Sequence, residues 1–171
     1  MNIADNGYTF VDQATWGARH SAGRRPMPRP VSQVWIHHTV TAPTGDPCAD
    51  ARQVEDVLAS RSLDPGYSYL IHPSGVVLEG AGRNVGAHTA KQNSRSYGLG
   101  FIGNYSAYQP TLAALVAAAR TVNLLRMDGA LVAPLEDVGI GGHRDVKATA
   151  CPGDHLYPLI RYIRWFAGTN A

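Results

Sequence analysis

QVWIHHTV, residues 33–40, is the stretch around which this sequence organises itself. It is rich in β-branched and aromatic residues and runs into the turn-forming TAPTGDP, so it predicts a strand. His37 and His38 are adjacent on that strand and therefore point to opposite faces. C-terminal to it, Ala51, Val54, Val57 and Leu58 fall at helical spacing and predict a helix over Cys48–Leu63, stopped by Asp64-Pro65-Gly66. YSYLIH (67–72) and VVLEG (76–80) read as a hairpin joined at Pro73-Ser74-Gly75. Residues 81–97 show no periodicity and predict a long polar loop, of a length that is usually functional or disordered. GLGFIG (98–103) predicts a short buried strand, with Gly98 and Gly100 marking close backbone approach. TLAALVAAARTVNLLRM (111–127) predicts a helix with Leu112, Leu115, Val116, Ala119, Val122 and Leu125 on one stripe, ended by Asp128-Gly129. LYPLIRYIRWFA (156–167) predicts a second, amphipathic one, with Leu156, Leu159, Ile160 and Ile163 on one face.

N-terminal to the central stretch, residues 1–32 read as an extended arm, densest in Pro, Gly and Arg at SAGRRPMPRP, with Trp16 as its anchor. This order of elements predicts one α/β domain over 1–171, a central mixed sheet of four to six strands flanked by helices. A chain of 171 residues can bury one core, and 44% apolar with 16% charged residues is ordinary globular composition. The net charge of +2 is too small to argue for nucleic acid. Two cysteines make no disulfide framework, and no run approaches the ~18 apolar residues of a membrane span. MNIADNGYTFVDQ has neither a basic start nor an apolar run, so no signal peptide is expected and action outside the cytoplasm would need a separate route.

Two motif matches carry nothing. GAGRNVG (80–86) has Val85 where a dinucleotide fingerprint requires glycine, and no helix pattern follows. HRD at 143–145 matches the start of a kinase catalytic loop but lacks its downstream Asn.

GGHRDVKATACPGD (141–154) carries more. His143 and Cys151 are borderline-soft ligands on a short excursion, and with a strand histidine they supply the three protein ligands of a catalytic zinc, leaving one position for water. Residue type alone does not choose between His37 and His38. Pro152 favours a helix start, which would place Cys151 at a helix N-terminus where a thiolate is stabilised. Tyr67 and Thr149 carry hydroxyls able to donate to an oxyanion, and His88, Thr89 and Asn93 in the polar loop are candidate binders of a polar ligand. Asp145 is a candidate to orient a ligand histidine. A Cys151 nucleophile with His143 as base is a rival chemistry; a structural zinc would need a fourth protein ligand.

WGAR (16–19), VWIHHT (34–39), PGYSYLIHPSG (65–75), GAHT (86–89), NSRSYGLGFIGNY (93–105) and GGHRDVKATACPGDHLY (141–157) occur in this order. Together they resemble the zinc-dependent type 2 amidases, which share a fold with the peptidoglycan-recognition proteins. The resemblance spans about residues 14–166. It implies a mixed sheet with helices on it and zinc at the base of a cleft, held by His37 rather than His38, by His143 and by Cys151. It implies Tyr67 and Thr149 as catalytic residues, and His88 and Asn93 as groove residues that with Thr89 hold the muramyl peptide. The position of Thr149 is Lys in some phage enzymes and Thr in catalytic recognition proteins. The family's first-helix disulfide is not expected, because Cys48 has no local partner, and no counterpart of an additional catalytic Glu is seen.

The function so implied is an N-acetylmuramoyl-L-alanine amidase, hydrolysing the bond between the lactyl group of N-acetylmuramic acid and the L-alanine of the stem peptide. The expected setting is a bacteriophage endolysin: a monomer acting on peptidoglycan, with no nucleic acid or membrane partner, made in the host cytoplasm and lysing the cell once it reaches the wall. The alternative is a non-catalytic peptidoglycan-binding module. Such modules typically lack the Cys ligand, so Cys151 argues for the enzyme.

Overall fold

The computed structural model describes residues 8–20, 25–64 and 66–169. Among these residues, six strands form one mixed sheet: β1 (Thr9–Val11), β2 (Gln33–His38), β3 (Tyr69–Ile71), β4 (Val76–Glu79), β5 (Ser96–Phe101) and β6 (Ile140–Gly142), in the spatial order β1-β4-β3-β5-β2-β6. Only the β3–β4 hairpin is antiparallel; β5 and β6 lie parallel to β2 on its two sides. Helices α2 (Pro47–Ala59), α3 (Leu112–Met127) and α4 (Ile160–Thr169) pack on the sheet, with a single-turn α1 (Gln13–Trp16) beside α2. The mixed sheet flanked by helices is the predicted architecture.

Alternation along the strands sorts the residues into two layers. Val34 and Ile36 of β2, Tyr69 and Ile71 of β3, and Tyr97, Leu99 and Phe101 of β5 join the main core with α3 and α4. Leu70 and Leu78 face the other way and pack with Trp16, Ala51, Val54 and Ile102. On that second face β5 presents Ser96, Gly98 and Gly100 instead of apolar side chains, and their β2 partners are Gln33, Trp35 and His37. The second face thus leaves room for chemistry beside a small core.

Local signals set the helix ends. Asp46 accepts from the amides of Cys48 and Ala49 at 2.9 and 3.2 Å, with Pro47 in the first turn, and Thr111 caps α3 through Ala114 N. Helix α2 stops at Ala59, short of the predicted Leu63, because the chain turns at Ser62, whose φ is +55°. Pro65 lies outside the described residues. On α3 the buried stripe is broader than predicted: Ala114, Ala117, Ala118 and Thr121 join it, whereas Leu112 is exposed. Small side chains let that helix sit close to the sheet. The C-terminal helix is preceded by a 3-10 turn at Tyr157–Leu159.

The first 32 residues are more than an arm. Thr9–Val11 extends the sheet beside β4, and Met27 and Val31 are buried in the main core. Part of SAGRRPMPRP lies outside the described residues. Trp16 anchors as expected: it is buried, its Nε1 donates to Glu79 O at 2.9 Å, and Arg52 donates to its carbonyl at 2.6 Å. Glu55 accepts from the amides of Arg19 and His20, each at 2.9 Å, which fixes the WGAR turn on α2.

Candidate metal centre

His37 is the penultimate residue of β2 and is 1% exposed. Its register partner on β5 is Gly100, which leaves the space beside it open for rings from elsewhere. β6 ends at Gly142 and delivers His143 at the start of a 3-10 turn. Cys151 follows on the return of the same excursion. One ligand atom from each of His37, His143 and Cys151 lies within 4.8 Å of the others. His37 Nδ1 is 3.7 Å from Cys151 Sγ, and the His37 and His143 ring centroids are 4.5 Å apart. Tetrahedral zinc with bonds of roughly 2.0–2.3 Å sets its ligand atoms about 3.3–3.6 Å apart, so small adjustments fit these donors to it. His38 is turned away: its Nδ1 accepts from Tyr105 N at 3.2 Å. The strand's alternation thereby makes the choice that residue type left open.

Burial pushes the pKa of His37 well below its usual value, and the neighbouring His88, His143 and His38 add to the shift. Burial and Lys147 lower that of His143. Neutral imidazoles are what a metal requires. Burial pushes the Cys151 thiol up to about 11, against the opposing pull of the His38 amide and of Arg144. A thiol so placed needs a metal to deprotonate it near neutrality, and this disfavours the free-nucleophile chemistry. The His38 amide donates to Cys151 Sγ at 3.4 Å, a contact suited to a thiolate.

No helix begins at Pro152, contrary to the expectation for Cys151. Cys151 and Pro152 form a turn, and Gly153 follows at φ +94°, where a Cβ would come within 2.3 Å of the Tyr105 backbone. Close passage over Tyr105 sets the path there. Arg144 bridges the excursion instead, donating to Asp154 Oδ1 at 2.8 Å and to the Ala150 carbonyl, with its guanidinium over the Tyr157 ring. Asp145 does not orient a histidine as suggested. Its carboxylate accepts from Gly142 N at 2.8 Å and from Tyr157 OH at 2.5 Å, closing the base of the loop.

Tyr67 lies beside the three donors, its ring centroid 5.2 Å from that of His37 and its hydroxyl 3.5 Å from His38 O. Burial first, and the nearby Cys151 charge second, raise its pKa, so the hydroxyl keeps its proton. The Thr149 hydroxyl accepts from Cys151 N at 3.2 Å, leaving its own hydrogen free to donate elsewhere. His88 and Thr89 are buried, and Asn93 Oδ1 accepts from both of their amides, at 3.1 and 2.7 Å. These contacts point into the protein rather than toward solvent. His88 Nδ1 lies 3.3 Å from His37 Nε2. Sequence reasoning missed the Arg144–Tyr157 brace and the Ser96 carbonyl, which meets His88 Nε2 at 3.1 Å. A backbone group leaves no signal in residue type.

The sequence model of the N-acetylmuramoyl-L-alanine amidase family matches residues 27–154. The human N-acetylmuramoyl-L-alanine amidase is 36% identical over 166 residues, covering 90% of this chain and 28% of that protein. The chain thus spans little more than a quarter of that enzyme's length. A peptidoglycan-recognition protein of Drosophila simulans is 39% identical over 163 residues, covering 91% of this chain and 88% of its own. A Drosophila PGRP-LB variant, solved in complex with tracheal cytotoxin, superposes with a TM-score of 0.80 at 29% identity, over 88% of this chain and 92% of that one. By its sequence, and by a fold that it shares with the peptidoglycan-recognition proteins, the chain belongs to the N-acetylmuramoyl-L-alanine amidase family.

Proposed function

We propose that this protein is a zinc-dependent N-acetylmuramoyl-L-alanine amidase that cuts peptidoglycan between N-acetylmuramic acid and the L-alanine of the stem peptide. The observation that carries the reading is the convergence of His37, His143 and Cys151 from two parts of the chain within 4.8 Å of one another. With three protein ligands, zinc when bound keeps a position for water, polarises the scissile carbonyl and lowers the pKa of that water. The chain's own residues do the rest. His37 and Cys151 are held by β2 and by the Arg144-braced loop, so the site is formed before substrate arrives. The protonated Tyr67 hydroxyl donates to the oxyanion that develops as the carbonyl is attacked. Thr149, its oxygen engaged by the Cys151 amide, directs its hydrogen to the same oxyanion.

A non-catalytic binding module is the second reading, favoured by the recognition proteins among the relatives. The presence of Cys151 and Tyr67 together supports the enzyme. The tracheal cytotoxin bound by the PGRP-LB relative, a monomeric diaminopimelic acid-type peptidoglycan, supports peptidoglycan as the ligand in either case. The narrower setting, a monomeric bacteriophage endolysin released from the host cytoplasm to the wall, belongs to the same proposal. Zinc-loaded protein incubated with purified peptidoglycan should release new L-alanine amino termini, and Cys151→Ala should release none. Muropeptide binding without release by the wild type would establish the binding module instead.

A further inference from the structure

His88 is buried, and one of its ring nitrogens meets His37. The Ser96 carbonyl lies 3.1 Å from His88 Nε2. A carbonyl can only accept, so His88 Nε2 carries the hydrogen and, in the neutral ring, His88 Nδ1 is an acceptor. The ring is buried, and its contacts are a carbonyl, a hydroxyl and another imidazole, none of them an anion, so it stays neutral. His37 Nε2 lies 3.3 Å from His88 Nδ1, and it makes a hydrogen bond there only if it carries a hydrogen itself. Thr89 Oγ1, 3.0 Å from His88 Nδ1 and 3.3 Å from His37 Nε2, obeys the same polarity. It donates its one hydrogen to His88 and accepts from His37. The opposite His37 tautomer would set two ring lone pairs against each other in a buried site, which costs about as much as an unmade buried hydrogen bond.

The polarity therefore runs one way, from a backbone carbonyl that cannot reverse it. We infer that His88 is a positioning residue: with Ser96 O and Thr89 it locks His37 as the Nε2–H tautomer, so that its Nδ1 lone pair faces Cys151 and His143. The ring is seated for this on Gly98, where a Cβ would fall 2.4 Å from His88 Cγ. Asn93 holds the backbone of 88 and 89 from behind. The inference rests on the metal-site reading for its purpose, but the tautomer is a property of the chain alone.

The test reads the two apart. Long-range proton–nitrogen correlation on imidazole-labelled, metal-free protein should show His37 as the Nε2–H tautomer. His88→Phe, which keeps a ring on Gly98, should leave His37 in a mixture of tautomers. It should also weaken zinc binding by about 10–100-fold in competition with a chromogenic chelator. His88→Gln restores an acceptor and should recover most of both. A His37 Nδ1–H tautomer in the wild type, or zinc affinity of His88→Phe equal to that of the wild type, would overturn the inference. Wild-type protein that shows the expected tautomer but binds no zinc would instead overturn the metal-site reading.

Discussion

The ring of Tyr67 lies flat on Gly100: a Cβ built there would stand 2.6 Å from Tyr67 Cγ. Gly100 is also the register partner of His37, so one missing side chain makes room for both a donor of the metal centre and the tyrosine beside it. Gly98 does the same for His88, two residues earlier on the same face. The alternation of glycine and large apolar residues in SYGLGF is thus a flat shelf on one side and core on the other.

Gly100→Ala should therefore displace the Tyr67 ring. Overpacking of this kind costs about 1–3 kcal/mol, which unfolding in denaturant can measure. Amidase turnover should fall more than that loss of folded protein explains, because the hydroxyl moves off its target. Unchanged stability together with unchanged turnover would show that the shelf is not what places Tyr67.

Tyr67→Phe separates ring from hydroxyl. Ring packing on Gly100 is kept, so thermal stability and zinc affinity should match the wild type. Loss of an oxyanion donor should lower kcat by roughly 10²–10³-fold with little change in KM. Comparable loss in KM would assign the hydroxyl to substrate binding rather than to the transition state.

Legibility in the sequence followed how local each signal is. β2 announces itself through Val34, Trp35 and Ile36, and the hairpin through Pro73-Ser74-Gly75. β1 and β6 do not: three residues each, one in a proline-rich arm and one reading Ile-Gly-Gly, they exist by pairing with β4 and β2. No window of sequence contains that partner. At the site, His143 and Cys151 stand out by type and spacing, and Tyr67 through the family resemblance. The inward role of His88 does not, because it depends on a carbonyl at Ser96 and a shelf at Gly98. The helix expected at Pro152 failed for a similar reason, since the contact of Gly153 with Tyr105 is long-range.

The loop carrying Cys151 should depend on Arg144. Its guanidinium joins Asp154, the Ala150 carbonyl and the Tyr157 ring on either side of the cysteine. Arg144→Ala should weaken zinc affinity about tenfold, read by chelator competition, while Arg144→Lys should recover little because a point charge cannot hold the planar fork. Wild-type affinity in Arg144→Ala would mean that β6 and Tyr105 suffice to place the loop.

Asp50 should make the fold acid-sensitive. It is fully buried near the start of α2, accepts from Thr44 N and Oγ1 at 2.9 and 2.7 Å, and meets His72 Nε2 at 3.1 Å. Burial opposes its charge, but the Thr44 hydroxyl and amide and then the His72 ring outweigh it and hold the carboxyl below its usual range. A folded-state value below the unfolded one means stability that is fully present above the unfolded pKa and lost as pH falls through the folded one. Urea midpoints measured from pH 6 down to pH 2 should fall for the wild type and fall less for Asp50→Asn. At neutral pH the variant should be less stable by roughly 1.5–3 kcal/mol, the range for hydrogen bonds to a charged group. Parallel acid curves for the two proteins would remove Asp50 from the account.

Metal removal gives a test that needs no substrate. A ligand that binds only the folded state stabilises by an amount set by its free concentration, about 2.7 kcal/mol at 100 times Kd. For a chain of this size that corresponds to a Tm about 5–11 °C higher than in chelator. Calorimetry of the wild type with buffered zinc should show the rise, and it should reverse on chelation. His37→Ala or Cys151→Ala removes one of three donors, so at the same free zinc the rise should be largely lost. The metal-free Tm of Cys151→Ala should stay near that of the metal-free wild type, because its thiol is then only a half-buried neutral group. A rise of equal size in Cys151→Ala would place the metal elsewhere, and the absence of any rise in the wild type would leave the three donors as a polar cluster without an ion.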